Sequence, residues 1–181
     1  MQVPHLKSPR LLLRPYHPGD FDAFAVLNGD AEVRRYMGGP LTRADTARRF
    51  QTFFMDGVFD GEAWAVALCD TGDYIGHCWL VVRAGGRDAE LGFLIASRMW
   101  RQGYGTEVAV VVLDYAFASG RYQRVVATVD ADHPASIRVL KRAGMRREGE
   151  RRDEAGVYLV YSITPPIRRT ETANAITQST L

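Results

Sequence analysis

Apolar positions in this chain come in short runs punctuated by turn residues, alternating with stretches of helical period. Arg10-Leu-Leu-Leu-Arg-Pro15 reads as a first strand ended by proline. His17-Pro-Gly-Asp20 is turn chemistry, and Asp20 is placed to cap a helix over about 21–28. Ala31 to Met37 reads as a second short helical piece, broken by Gly38-Gly-Pro40. Thr42 with Asp45 marks another helix start, and that helix is expected to run to about Asp56 with Phe50, Phe53 and Phe54 inward. Ala63–Cys69 and Tyr74–Val82 are strands joined by the turn Asp70-Thr-Gly-Asp73, and Ala89–Ala96 is a third. A helix to about Ser119 follows. The β-branched run Arg124–Val129 comes next and, lying after a helix, is expected to pair in parallel with 89–96. A helix over 135–143 stops at Gly144, and Gly156–Ile163 is the last strand. Pro165-Pro166 closes a single domain over 1–164, leaving 165–181 as a flexible tail.

Composition narrows the class. One hundred and eighty-one residues, 46% hydrophobic and 24% charged, suit one globular domain. A formal charge of +2 is too small to point to nucleic acid. Between Arg138 and Arg152 seven Lys/Arg face two Glu, a solvated basic face or a collar for an anionic cofactor. Cys69 and Cys78 lie in apolar stretches and read as reduced core residues. No run of 18 apolar residues and no cleavable leader is present, which leads us to expect a cytoplasmic protein without membrane contact. The histidines show no metal spacing, and no Gly-x-Ser-x-Gly elbow is present.

The informative stretch is Glu90-Leu-Gly-Phe-Leu-Ile95 followed by Trp100-Arg-Gln-Gly-Tyr-Gly105 and a helix. Helix N-termini expose unpaired N–H groups, and Gly103 and Gly105 let the backbone close around a phosphate. Val108 stands where a dinucleotide fingerprint needs its third glycine, and the P-loop spacing is absent. The loop resembles the acetyl-CoA loop of the GNAT N-acetyltransferases, usually Gln/Arg-x-x-Gly-x-Gly/Ala. Trp100 in place of Gln/Arg, followed by Gly-Tyr-Gly-Thr-Glu107, is similar to the RimJ/RimL-type subgroup. The order of elements over about 8–164 matches that family.

The resemblance implies an α/β acyl-CoA N-acyltransferase fold: a mixed twisted sheet with an antiparallel N-terminal meander and a splayed parallel strand pair, flanked by helices. It implies acetyl-CoA as co-substrate, with no metal. The diphosphate would be held around Arg98, Arg101, Gln102, Gly103, Tyr104, Gly105 and Thr106, and the pantetheine by the backbone of Phe93, Leu94 and Ile95. Gly92 fits either a bulge that exposes that backbone or close packing against a neighbour. Glu90 is the expected base, with Asp88 as fallback. His133-Pro-Ala-Ser136 stands where the family carries Asn-x-x-Ser. His133 would take over part of the Asn's contact with pantetheine. Val139 and Leu140 occupy the region where many relatives have an acidic Tyr, which leaves Ser136 as proton donor, as helix cap, or both.

The acceptor expected from the subgroup is a peptide α-amino group, as at a protein N-terminus. Three other readings are a small-molecule amine, a non-catalytic acyl-CoA sensor, and a nucleic-acid binder using 138–152. Monomer and homodimer are both compatible with the sequence.

Overall fold

In the computed structural model, residues 3–55, 60–83 and 85–165 are described. They form one eight-stranded sheet in the order β1-β2-β3-β4-β5-β6-β8-β7. The strands are β1 (Leu6–Lys7), β2 (Leu11–Arg14), β3 (Gly61–Leu68), β4 (Tyr74–Val82), β5 (Asp88–Ile95), β6 (Arg124–Asp130), β7 (Arg146–Asp153) and β8 (Gly156–Ile163). The helices are α1 (Phe21–Gly29), α2 (Arg43–Phe50), α3 (Tyr104–Ala118) and α4 (Pro134–Arg142). The pair β5–β6 is parallel, and the other neighbouring strands pair antiparallel.

Period-2 alternation sorts the strand side chains to two faces. On one face Leu11, Leu13, Trp64, Val66, Leu91 and Val125 meet the apolar stripe of α3, in which Val108, Val112 and Ala116 are fully buried. On the other, Leu94 and Trp79 pack with Leu27 of α1 and with Val33. The active surface can therefore be built on the α1–α2 face while α3 and α4 hold the sheet from behind.

Several elements depart from expectation. Residues 31–37 form consecutive turns and no helix. Asp30 Oδ1 accepts from the N–H groups of Glu32 and Val33, and the Arg34 guanidinium takes the carbonyls of Met37 and Gly39. These side-chain bonds displace the helical ladder. Helix α2 begins at the expected cap, with Thr42 Oγ1 accepting from Asp45 N at 3.1 Å. It ends at Phe50 and passes into a π-turn over Gln51–Met55. The expected continuation to 56 lies outside the described residues, as does the side chain of Phe53. Phe50 is buried as expected, and Phe54 stacks on Tyr16.

Asp20 precedes α1 but makes no side-chain cap to it. Its carboxylate instead holds Arg14 at 2.7 and 2.8 Å and the His17 N–H at 2.9 Å. Cys78 is buried and Cys69 is exposed, so only one of the two is a core thiol. The expected tail beyond Pro165 lies outside the described residues.

The largest departure is β7. Arg-Arg-Glu-Gly-Glu-Arg-Arg-Asp is a strand, paired with β8 from Arg146↔Ser162 to Asp153↔Gly156. An edge strand buries little and gains its stability from the ladder, so it can be all charge, which also blocks edge-to-edge association. The register shifts between Arg147 and Gly149, and Glu148 there reaches Arg124 at 3.1 Å. The basic run read from the sequence is thus one exposed strand and the end of α4.

Candidate active site

The parallel pair is joined at one end only. Asp88, Ala89 and Glu90 pair with Arg124, Val125 and Val126, and there the ladder stops. Strand β5 continues to Ile95 along β4, while β6 continues to Asp130 along β8. The two strands diverge, and Glu90 is the last residue of β5 that pairs with β6.

Which groups face the gap follows from alternation along the ladder. Ala96 N–H donates to Ile75 in β4's direction, and Arg87 C=O accepts from Gln123 N–H on the β6 side. Odd-numbered residues of β5 therefore direct their N–H and C=O groups towards β6. Leu91, Phe93 and Ile95 present main-chain groups to the gap, and the Ile95 carbonyl is taken by Trp100 Nε1 at 2.7 Å. Leu94, opposite His77, turns its main chain to β4, so it is not among the edge groups expected from the sequence. Its side chain is buried on the α1–α2 face.

Gly92 is not a bulge: β4 and β5 pair without a register shift from Val82↔Ala89 to Gly76↔Ile95. The Trp79 indole lies over Gly92 so closely that a Cβ would sit 2.2 Å from its ring carbons. Close packing explains this glycine.

At the far end of the gap stands the glycine loop. Arg101 has φ 61°, and Gly103, the residue before α3, has φ 86° and ψ −4°. Left-handed residues just before a helix turn successive N–H groups inward, the geometry of an anion cradle. Gly105 lies against α4: a Cβ there would be 3.3 Å from Val139 and 3.6 Å from Phe93. The loop is braced from the other side by Arg10, whose guanidinium bonds the Gln102 carbonyl at 3.1 Å and Glu107 at 2.5 and 2.8 Å. It also lies 4.3 Å over the Tyr104 ring. Arg98 donates to the Tyr74 carbonyl at 3.3 Å, and Gln102 Nε2 to the Arg98 carbonyl at 3.2 Å. Arg101 is exposed and Thr106 half-buried in the first turn of α3.

Glu90 points to the α1–α2 face, a third exposed, with Arg83 at 3.1 Å from Oε2. Asp88 is bound by Arg124 at 2.6 and 2.9 Å. Residue 133, and not Ser136, occupies the N-cap position of α4, and it makes no side-chain cap bond. Ser136 is half-buried in the first turn and has no hydrogen-bond partner among the described residues. The His133 ring stacks on Tyr36 with centroids 4.3 Å apart and planes 19° apart. Burial holds its pKa below the ordinary histidine value, against the raising effect of Asp130. That stack joins the loop after β6 to the turns after α1. Nothing in the spacing of Tyr36 and His133 foretells it.

Beside Leu94 and Trp79 opens a cavity of about 190 Å³. Phe24 and Phe54 supply further apolar wall, and Asn28, His77, Arg34 and Arg49 supply its polar groups. His77 Nδ1 is 2.9 Å from Tyr74 Oη. Burial, helped by the Arg34 charge, lowers the His77 pKa to about 3, so the imidazole is neutral. Sequence reading passed over Trp79, Arg34 and Arg49, whose common cavity unites residues from three separate segments. No group of three or more His, Cys, Asp or Glu able to hold a metal occurs among the described residues. No described helix is long and apolar enough to cross a membrane.

Comparison with known proteins agrees with this geometry. The family model described as Acetyltransferase (GNAT) domain matches residues 10–146. The uncharacterized N-acetyltransferase YoaA of Bacillus subtilis (strain 168) is 31% identical over 168 residues, spanning 90% of this chain and 92% of that one. Among solved structures, a GNAT-family acetyltransferase from Bacillus anthracis superposes with a TM-score of 0.80 at 27% identity, over 89% of this chain and 98% of that one. An acetyltransferase from Agrobacterium tumefaciens gives 0.77 at 26% identity, over 91% and 96%. With the forked strand pair, the glycine cradle and a family model covering most of the domain, the chain belongs to the GNAT acetyltransferase family.

Proposed function

We infer that this acetyltransferase moves an acetyl group from acetyl-CoA to a primary amine by direct attack within a ternary complex. The acceptor is an α-amino group, at the head of a peptide or on a small molecule. The observation that carries the reading is the fork: β5 and β6 part immediately after Glu90, and the glycine cradle stands where the gap ends.

The residues fit the co-substrate. Main-chain N–H groups around 102–106 would hold its diphosphate, with Gly103 in a conformation that side-chain-bearing residues avoid. The main-chain groups of Phe93 and the N–H of Ile95 would pair with the amides of the pantetheine arm, the Ile95 carbonyl being held by Trp100. Acetyl-CoA supplies a thioester, an acetyl group already activated for transfer to nitrogen. The protein adds position, charge and proton handling. An N–H of the free β5 edge is a fixed donor for charge developing on an acyl oxygen, worth on the order of 3 kcal/mol in comparable sites.

Glu90 takes the amine's proton. An α-amino group has a pKa of about 8, so at neutral pH most of it is protonated and unreactive. A placed base contributes about a hundred- to ten-thousand-fold. Arg83 orients the Glu90 carboxylate through one oxygen, and no described residue bonds the other. Ser136, without a partner of its own, serves the leaving sulfur as hydrogen-bond donor, and His133 with Tyr36 borders the same end of the gap.

The test is calorimetry with acetyl-CoA followed by thiol release over a panel of amines. Binding together with release for at least one amine is expected. No binding refutes the cradle, and binding without release for every amine makes the protein a sensor.

A further inference from the structure

The amine acceptor's own chemistry is written in the cavity beside Leu94 and Trp79. Two guanidinium groups border it, Arg34 and Arg49, and no carboxylate lines it among the described residues. Arg34 is only 5% exposed. Its donors go to neutral acceptors: the Gly39 carbonyl at 2.7 Å, the Met37 carbonyl at 2.7 Å and Asn28 Oδ1 at 3.2 Å. These bonds fix its direction but leave its charge without a counter-ion among the described residues. Arg49, at the exposed rim, feels the Asp45 carboxylate one turn earlier but makes no direct ion pair or hydrogen bond among the described residues. Its helix neighbours differ, for Arg43 pairs with Asp22 and Arg48 with Asp45. The remaining polar side chains, Asn28 and His77, are neutral and add no negative charge.

Two like charges beside one apolar cavity repel each other, and a buried charge without a partner is costly. A planar anion accepted by one or both guanidinium forks removes both penalties, and Arg is the side chain best shaped for a carboxylate. The same field repels polycations.

We propose that this cavity is a carboxylate subsite, and that the acceptor is an amine carrying a carboxylate, held by Arg34 and Arg49 with its apolar portion against Phe24, Phe54 and Trp79. A free amino acid and a peptide N-terminus with an acidic residue share this chemistry. A polyamine or an aminoglycoside lacks it. The proposal rests on the acetyl-transfer reading for its amine but has a binding readout of its own.

The experiment compares matched acids and amides by calorimetry on protein saturated with CoA. The probes are leucine against leucinamide, and the amidated peptides Ser-Glu-Leu and Ser-Gln-Leu, with spermidine as polycation. In at least one pair the acid is expected to bind on the order of tenfold more tightly than its amide. The leucine arm identifies a small-molecule acceptor and the Ser-Glu arm a peptide. Arg49→Gln is expected to bring acid and amide within about twofold of each other while acetyl-CoA affinity holds. Equal binding of acid and amide in both pairs, tighter binding of spermidine, or no detectable binding of either acid overturns the proposal. Acetyl-CoA titration distinguishes the two failures: a protein that binds acetyl-CoA but does not prefer acids loses this subsite and keeps the proposed reaction.

Discussion

Gly92→Ala is the sharpest structural test, because a single methyl meets a single ring. The new Cβ would lie 2.2 Å from Cε2 and Cζ2 of Trp79 and 2.6 Å from Nε1. Carbon atoms in good contact are about 3.5–4.0 Å apart, so the indole must swing away. Overpacking of this kind costs about 1–3 kcal/mol. A domain of this size loses about 2–4 °C of Tm per kcal/mol, which predicts a fall of about 2–12 °C. The sign is informative, since Ala in a strand interior is otherwise about 0.5–1 kcal/mol better than Gly. Thermal unfolding of Gly92→Ala in the native background and in Trp79→Leu forms a double-mutant cycle. With the indole gone, the substitution should be neutral or slightly stabilising. An unchanged Tm in the native background, or an equal loss in both, would refute the claim that Trp79 is the reason for this glycine. Since Trp79 also lines the cavity, the displaced ring should weaken acceptor binding more than acetyl-CoA binding.

Other outcomes follow from the same geometry. Glu90→Gln should cut turnover about a hundred- to ten-thousand-fold with little change in acetyl-CoA affinity, and unchanged turnover removes Glu90 from the reaction. Gly103→Val places a β-branched residue at φ 86°, so acetyl-CoA affinity should fall at least about tenfold with the circular dichroism spectrum retained. Burial raises the Glu107 pKa, and bonds from Ser8 and Arg10 more than offset it, leaving the group below the ordinary carboxylate value. Its contribution is present above the unfolded-state pKa and lost as pH falls through the lower folded one. Glu107→Gln should therefore cost about 1–2 kcal/mol at pH 7 and less in acid, by urea unfolding at both pH values. Neutral His77 acts in the range between its unfolded pKa near 6.5 and its folded value of about 3. There the unfolded chain binds the extra proton, so stability falls on acidification by up to about 1.4 kcal/mol per pH unit, and His77→Gln should flatten that slope.

Local chemistry read well from the chain. Thr42 caps α2 with Asp45, the hairpin β3–β4 turns at 70–73, and α3 opens on Gly103, because each is decided within a few residues. The segment 31–37 failed because Arg34 and Asp30 bond the backbone themselves. Strand β7 failed because an exposed edge needs no apolar period and is recognised only by its partner β8. Gly92 read equally as bulge or contact until Trp79, thirteen residues earlier, was seen over it.

The chain alone determined the order of most of its elements, the glycine loop and the resemblance that names a family, since these rest on spacing and on contacts close in sequence. Only the tertiary structure decided where β5 leaves β6, which of Phe93, Leu94 and Ile95 present their main chain to the gap, and that Arg34 and Arg49 share one cavity. Strand register and the meeting of distant side chains are set by how whole faces pack, and no local pattern encodes that.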